Sequence, residues 1–242
     1  MIRLLHAADF HLDSSFSALP AALASRRRQE QRLALQALAA LCREKQCDAV
    51  LLAGDLFDSA RIYRDSLDAL RDFCRTCGAE VFIAAGNHDH LCPGSPYLTE
   101  QWPEYVHLFP SEHITSYRME RLNLTIYGAS FTAPEAPSLL EGFRVADPQA
   151  VNVMVLHGDT QPGSPYDLVT PAQIASSGLA YLALGHIHAG GSGKVGQTLC
   201  AWPGCLMGRG FDECGQKGAL LVELDESGCR TEFLPVHTRR YE

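Results

Sequence analysis

The chain has 242 residues, 46% of them hydrophobic, enough to bury a sizeable core in one large domain or two small ones. Twenty Lys and Arg against 28 Asp and Glu leave a formal charge of −8, which argues against a nonspecific nucleic-acid binder that works through a basic surface. No apolar run approaches the ~20 residues that cross a bilayer, and the opening Met1-Ile2-Arg3-Leu4-Leu5-His6 is interrupted too soon for a secretory segment.

The first predicted element is a buried strand over residues 2–8 that ends at Asp9. A long helical pattern covers about 20–46, with Leu33, Ala37, Ala40 and Leu41 on one face and Arg26, Arg27, Arg28 and Arg32 near its start. Cations there oppose the helix macrodipole. The cluster reads as a solvated face, with a phosphate-binding patch as the alternative. A second strand, 48–53, runs into Gly54-Asp55, and a helix over 63–77 stops at Gly78. The strand 81–85 runs into Gly86-Asn87-His88-Asp89, and a Pro/Gly/Ser-rich loop with Trp102 follows.

Paired strands are predicted over 114–118 and 123–128. The strand 151–156 ends at His157, and 180–184 ends at Gly185-His186. Short strands with tight turns complete the chain at 194–202, 218–224 and 230–236. Alternating strands and helices, then strand-rich sequence, predict an α/β protein with its sheets sandwiched between helices. No internal repeat or long linker divides it. The nine cysteines, odd in number and scattered, read as free thiols of a reducing cytoplasm. Cys74 and Cys77 form a C-x-x-C, but they end a helical pattern instead of opening one, so they read as buried or half-buried thiols.

Five of the apolar runs end in loops that carry chemistry: Asp9-Phe10-His11, Gly54-Asp55-Leu56-Phe57-Asp58, Gly86-Asn87-His88-Asp89, His157-Gly158 and Gly185-His186-Ile187-His188. In layered α/β proteins, ligands collect at the C-terminal ends of strands. In Asp-x-His and His-x-His, alternate residues just past a strand point the same way, so both can reach one ion. Imidazoles and carboxylates without cysteine suit Mn²⁺, Fe or Zn²⁺. Any one of these motifs alone is weak evidence, since Asn-Gly-rich loops are ordinary turns. The ordered set is specific. His6 reads as a packed core histidine, and His90, His107, His113 and His237 as structural. Arg209 and Phe211, in a Gly-rich loop after the last ligand pair, could meet a phosphate and a base, or could only shape the loop.

These loops resemble the calcineurin-like metallophosphoesterase superfamily, with its ordered D-x-H, G-D-x-x-D, G-N-H-[DE], H and G-H-x-H. Leu5 through Asp13, Trp202-Pro203-Gly204, Gly208 through Glu213 and Lys217-Gly218 are similar to SbcD-type DNA-repair exonucleases, especially the YhaO-like group. Ser59-Ala60 stands where the protein-phosphatase branch has Arg-Gly.

The resemblance implies a four-layer α/β/β/α sandwich, one catalytic domain over 1–242, and two divalent ions, Mn²⁺ first among them. It implies Asp9, His11 and His188 on one ion, Asn87, His157 and His186 on the other, and Asp55 bridging. His88 would act as acid or charge stabiliser with Asp58 orienting it. Two ions about 4 Å apart would share a bridging hydroxide for in-line attack and clamp the phosphate oxygens. The implied substrate is DNA, with a small-molecule phosphodiesterase or phosphatase as the alternative. An SbcC-like ATPase is an implied partner, although no docking segment or DNA-binding cap is evident before Glu242. A homodimer is compatible with the same reading.

Overall fold

β1 (Ile2–Ala7), β2 (Ala49–Ala53) and β3 (Glu80–Ala84) are almost wholly buried runs that pair in parallel in that order, as strands covered on both faces do. β4 (Val106–Leu108) extends them in parallel. On the far side of β1, β11 (Gly218–Asp225) and β12 (Gly228–Pro235) add as an antiparallel hairpin, giving a mixed sheet ordered β12-β11-β1-β2-β3-β4. The second sheet takes β5 (Thr115–Met119), β6 (Leu124–Gly128), β7 (Val151–His157), β8 (Tyr181–Gly185), β10 (Thr198–Trp202) and β9 (Gly191–Val195), in that spatial order. The computed structural model describes residues 1–59, 62–236 and 239–242, so the readings of Ala60 and His237 lie outside the described residues.

Side chains alternate along each strand, and that alternation builds the layers. Leu5, Val50, Leu52 and Ile83 face α1 (Ala21–Glu44) and α2 (Arg64–Thr76), where Leu35, Leu38, Leu70 and Phe73 cover them. The short α3 (Pro96–Thr99) adds Tyr97 to the same core. Leu4, Leu51 and Phe82 face the other way and pack against Ile126, Val155, Tyr181 and Ala183 of the second sheet. The outer face of that sheet, with Met154, Leu156, Leu182 and Leu184, is covered by Phe131, Leu140 and Val169 from loops and by Ile174 of the short α4 (Pro171–Ser177). The result is the expected α/β/β/α sandwich, although its fourth layer is mostly loop. At 25 cal/mol per Å², each fully buried Leu or Phe is worth about 2 kcal/mol of transfer free energy, so the central layer carries much of the stability.

Several sequence expectations need correction. The buried face of α1 is not the one through Leu33, which is 50% exposed; it runs through Ala24, Arg27, Gln31, Ala34, Leu35, Leu38 and Cys42. Two polar residues belong to that face because each has a loop to hold: Arg27 donates to the Gly208 carbonyl at 2.8 Å, and Gln31 to the His11 carbonyl at 2.7 Å. The arginine cluster is therefore only partly a solvated face. Segment 194–202 is not one strand but two, turning at Gly196. The short α3, β4 and α4 have no counterpart among the predicted elements; α4 carries a capping box, Thr170 with Gln173, that periodicity over seven residues could not reveal. Cys74 and Cys77 are buried at the end of α2 as expected, whereas Cys214 is exposed.

Candidate metal centre

The C-terminal ends of β1, β2, β3, β7 and β8 meet on one rim of the sandwich, and the sequence past each is cross-tied there. Asp9 N–H donates to the Gly54 carbonyl at 3.0 Å, His11 N–H to Asp55 at 2.9 Å, and Leu12 N–H to Leu56 at 2.9 Å. Asp9, His11, Asp55 and His186 all have positive φ, at 53°, 44°, 53° and 88°. Left-handed backbone at non-glycine residues costs about 1–3 kcal/mol each and collects at functional sites. Gly185 is required by close approach: a Cβ there would lie 1.8 Å from the Ala53 carbonyl oxygen across the two sheets. Asp89, buried beneath the loops, ties two of them. Its carboxylate accepts the N–H groups of Gly86, Asp55, Leu56 and Phe57 at 2.8–3.2 Å and the Tyr97 hydroxyl at 2.6 Å.

The predicted ligands converge. Asp9, His11 and His188 form one metal-sized group, and Asp9, Asp55 and His157 another. Asp55 Oδ2 lies 3.7 Å from His11 Nε2 and 3.4 Å from His157 Nε2, between the two groups. Asn87 Oδ1 is 3.0 Å from His157 Nε2. His186 is less tightly gathered: its ring packs edge-on against His157 at 5.2 Å, its N–H donates to the Asp9 carboxylate, and its Nε2 is 4.0 Å from Asp159.

The donor chemistry tests whether cations fit. His11 Nδ1 lies 3.1 Å from Asp58 Oδ1, and His188 Nδ1 lies 2.8 Å from Glu213 Oε1. His157 Nδ1 lies 2.9 Å from the Ala53 carbonyl. In each case Nδ1 donates, so Nε2 carries the lone pair, as in the carboxylate–histidine arrangements behind metal ligands. The Nε2 atoms of His11 and His188 then face one another at 3.1 Å, and that of His157 faces the Asn87 and Asp55 oxygens. Acceptors aimed at acceptors are what a divalent cation would reconcile. In place of a cation, the same carboxylates favour a second proton on His157. Burial would lower the His157 pKa, but Asp55 and Asp9 override it and hold it up at about 10. Burial instead pulls His186 down to about 4, helped by the charge of His157.

The remaining site residues sit around this core. His88 is exposed at the mouth, its ring 4.8 Å from His11, with its N–H donating to Asp55 Oδ1 at 2.9 Å. Its Nδ1 is held by the carbonyl of Asp58 at 3.0 Å, not by the carboxylate. That carboxylate is drawn instead to His11 and to Arg209, at 3.1 and 3.2 Å. Arg209 also donates to Glu213 at 2.8 Å, so its guanidinium joins the two acids that hold His11 and His188. Phe211 is 78% exposed, two residues on. His90 Nδ1 is held by the Asn87 carbonyl at 3.0 Å, His107 and His113 make contacts away from the candidate ligands, and His6 is sealed in the core, 2.8 Å from the Tyr181 hydroxyl. Sequence reasoning missed Asp89 and Glu213. Asp89 lay inside a quoted motif, and Glu213 beside Arg209, but neither had a local pattern announcing a buried carboxylate.

Candidate metal-ligand groups at one rim of a two-sheet sandwich point to a metallophosphoesterase. The chain belongs to the calcineurin-like phosphoesterase family, whose profile matches residues 2–190. Its relatives include the metallophosphoesterase YhaO of Bacillus subtilis (strain 168), 33% identical over all of this chain and 62% of YhaO. SbcD, the D component of the SbcCD nuclease of the same organism, is 24% identical over 91% of this chain and 66% of that protein. The chain thus spans under two thirds of each relative's length. A dimetal phosphatase from Danio rerio shares the fold with a TM-score of 0.62 at 12% identity, covering 100% of this chain and 99% of that one. Among the described residues, no helix is long and apolar enough to cross a membrane.

Proposed function

We propose that the protein is a two-metal phosphodiesterase that cleaves DNA, with Mn²⁺ as its working ion. Asp9, His11 and His188 hold one ion, Asn87, His157 and His186 the other, and Asp55 serves both. The observation that carries this reading is the set of imidazole lone pairs turned inward on carboxylates, each fixed by an outer partner on Nδ1. Bound ions supply positive charge to the phosphate oxygens and an activated water near neutral pH.

The chain's own groups do the rest. Asp58, through its carbonyl, fixes His88 with Nδ1–H donating, so that in the imidazolium form Nε2–H is left to donate to the phosphate or the leaving oxygen. Glu213 and Asp58 hold the ligand imidazoles, and Arg209 pairs with both of those acids. The DNA assignment draws on SbcD, named as part of a nuclease, which aligns with 91% of this chain. An SbcC-like ATPase partner and a cytoplasmic location follow from the same likeness.

A second reading, small phosphodiesters, is favoured by the charge. The chain carries −8, and Arg27 and Arg209 are engaged internally with Glu30, Gly208, Asp58 and Glu213, so neither of these two is free to meet a polyanion. Metal-depleted protein re-supplied with each divalent ion, then offered single-stranded DNA, duplex DNA, nucleotides and an aryl phosphodiester, decides between them. Mn²⁺-dependent release of nucleotides from DNA is the expected result. Brisk aryl-diester turnover with no cleavage of any DNA selects the second reading.

A further inference from the structure

A cavity of about 470 Å³ opens beside the metal centre, and Asp58, Arg209 and Glu213 line it. Three aromatic rings also line it, among small and hydroxyl-bearing residues such as Ser14, Ser15 and Ala18. Phe211, 78% exposed, meets Tyr241 edge-on with ring centroids 5.0 Å apart. Phe16 stands in the opposing segment. The buried Arg27 guanidinium lies under both Tyr241 and Phe16, at 5.5 and 5.7 Å from their centroids, which anchors two of the three rings by cation–π contact. The Tyr241 hydroxyl donates to the Arg209 carbonyl at 3.3 Å, so the wall is tied to the loop that steadies His188.

The charges of this cavity exclude a phosphate as its occupant. Among its described lining residues the cation is Arg209, bound to Asp58 and Glu213, and Asp212 adds a further carboxylate. A ligand here is therefore flat, uncharged and able to offer N–H groups to acidic or hydroxyl acceptors. A wide exposed ring at the mouth of a phosphoester site fits stacking, which is tolerant of base identity because every base has a π face.

We propose that this cavity receives the nucleobase of the nucleoside esterified to the scissile phosphate, with Phe211 as its stacking platform and Tyr241 backing it. The proposal rests on the phosphodiesterase reading and gives it a substrate class: nucleoside esters over simple alkyl esters.

Two esters with one leaving group test it: methyl p-nitrophenyl phosphate and thymidine 5′-(p-nitrophenyl) phosphate. Water cleaves the same P–O(aryl) bond in each, releasing p-nitrophenolate and leaving methyl phosphate or thymidine 5′-phosphate. With Mn²⁺-loaded protein the nucleoside ester should have kcat/KM higher by about tenfold or more, expressed mainly in KM. Phe211→Ala should collapse that ratio towards one, and Phe211→Trp should keep it. A ratio near one in the unaltered protein, or one that survives both Phe211→Ala and Tyr241→Ala, overturns the proposal. Quenching of 2-aminopurine riboside 5′-monophosphate fluorescence supplies a readout that needs no turnover. If neither ester is cleaved, the phosphodiesterase reading fails. Quenching lost in Phe211→Ala then still supports a base site, and no quenching removes it. Self-association that is lost in Phe211→Ala, without base quenching, gives the face to a second copy and also overturns the proposal.

Discussion

His88 and His6 show how far the setting of one imidazole decides its use. His88 stands exposed beside His11 with Nδ1 fixed, its backbone N–H on Asp55 and its ring grouped with His11 and Asp58. His88→Ala should leave metal content nearly intact and slow turnover by about 10²–10⁴-fold, the range for losing a general acid or base. An emptied metal site in that variant would make His88 a ligand. His6 is its opposite, fully buried between the sheets against Tyr181. Burial penalises its cation and pulls its pKa down from 6.5 to about 3. Below about pH 6.5 the unfolded chain binds a proton that the fold refuses, so the stability this residue contributes is full above that pH and lost as pH falls towards 3. Between pH 7.5 and 5 the loss is about 2 kcal/mol at ~1.4 kcal/mol per pH unit. Urea unfolding should show that extra loss in the natural protein and not in His6→Gln. Parallel curves would mean that His6 is charged in the fold.

At the scale of elements, the loops that meet in the candidate site were legible because each motif is local. Asp9-Phe10-His11 and His186-Ile187-His188 each place two donors within a few residues of a strand end. What holds those donors is not local. Asp58 reaches His11 across 47 positions, and Glu213 reaches His188 across 25, so no periodicity pairs them. The α1 face was misread for a related reason: Arg27 and Gln31 are buried to satisfy carbonyls of distant loops, and a hydrophobic pattern scores both as surface. The same non-local ties give the third prediction. Glu213→Gln should weaken one metal site by about 10–100-fold, the usual effect of losing an outer carboxylate, and leave the other. Isothermal titration of metal-depleted protein measures it, and equal weakening of both sites would show that Glu213 acts on the whole rim instead.

Taken as a whole molecule, the layer order was readable from alternating strands and helices, while the mostly irregular fourth layer was not, because loops such as 129–145 pack by shape and not by period. Charge is the other property of that scale. A chain at −8 whose site arginines are internally paired neutralises few phosphates, so its affinity for DNA should fall shallowly with salt. A log–log slope steeper than about −4, measured by anisotropy with a single-stranded oligonucleotide, would require a phosphate-binding surface of about six contacts or more and would contradict this expectation.

The central claim is that one rim holds two ions through a shared Asp55, whose Oδ2 lies between His11 and His157. Elemental analysis of metal-replete protein, natural and Asp55→Asn, tests it most directly. Two ions per chain are expected in the natural protein, and a weakening of both sites in the variant. One tight ion with no second site in the natural protein would contradict it.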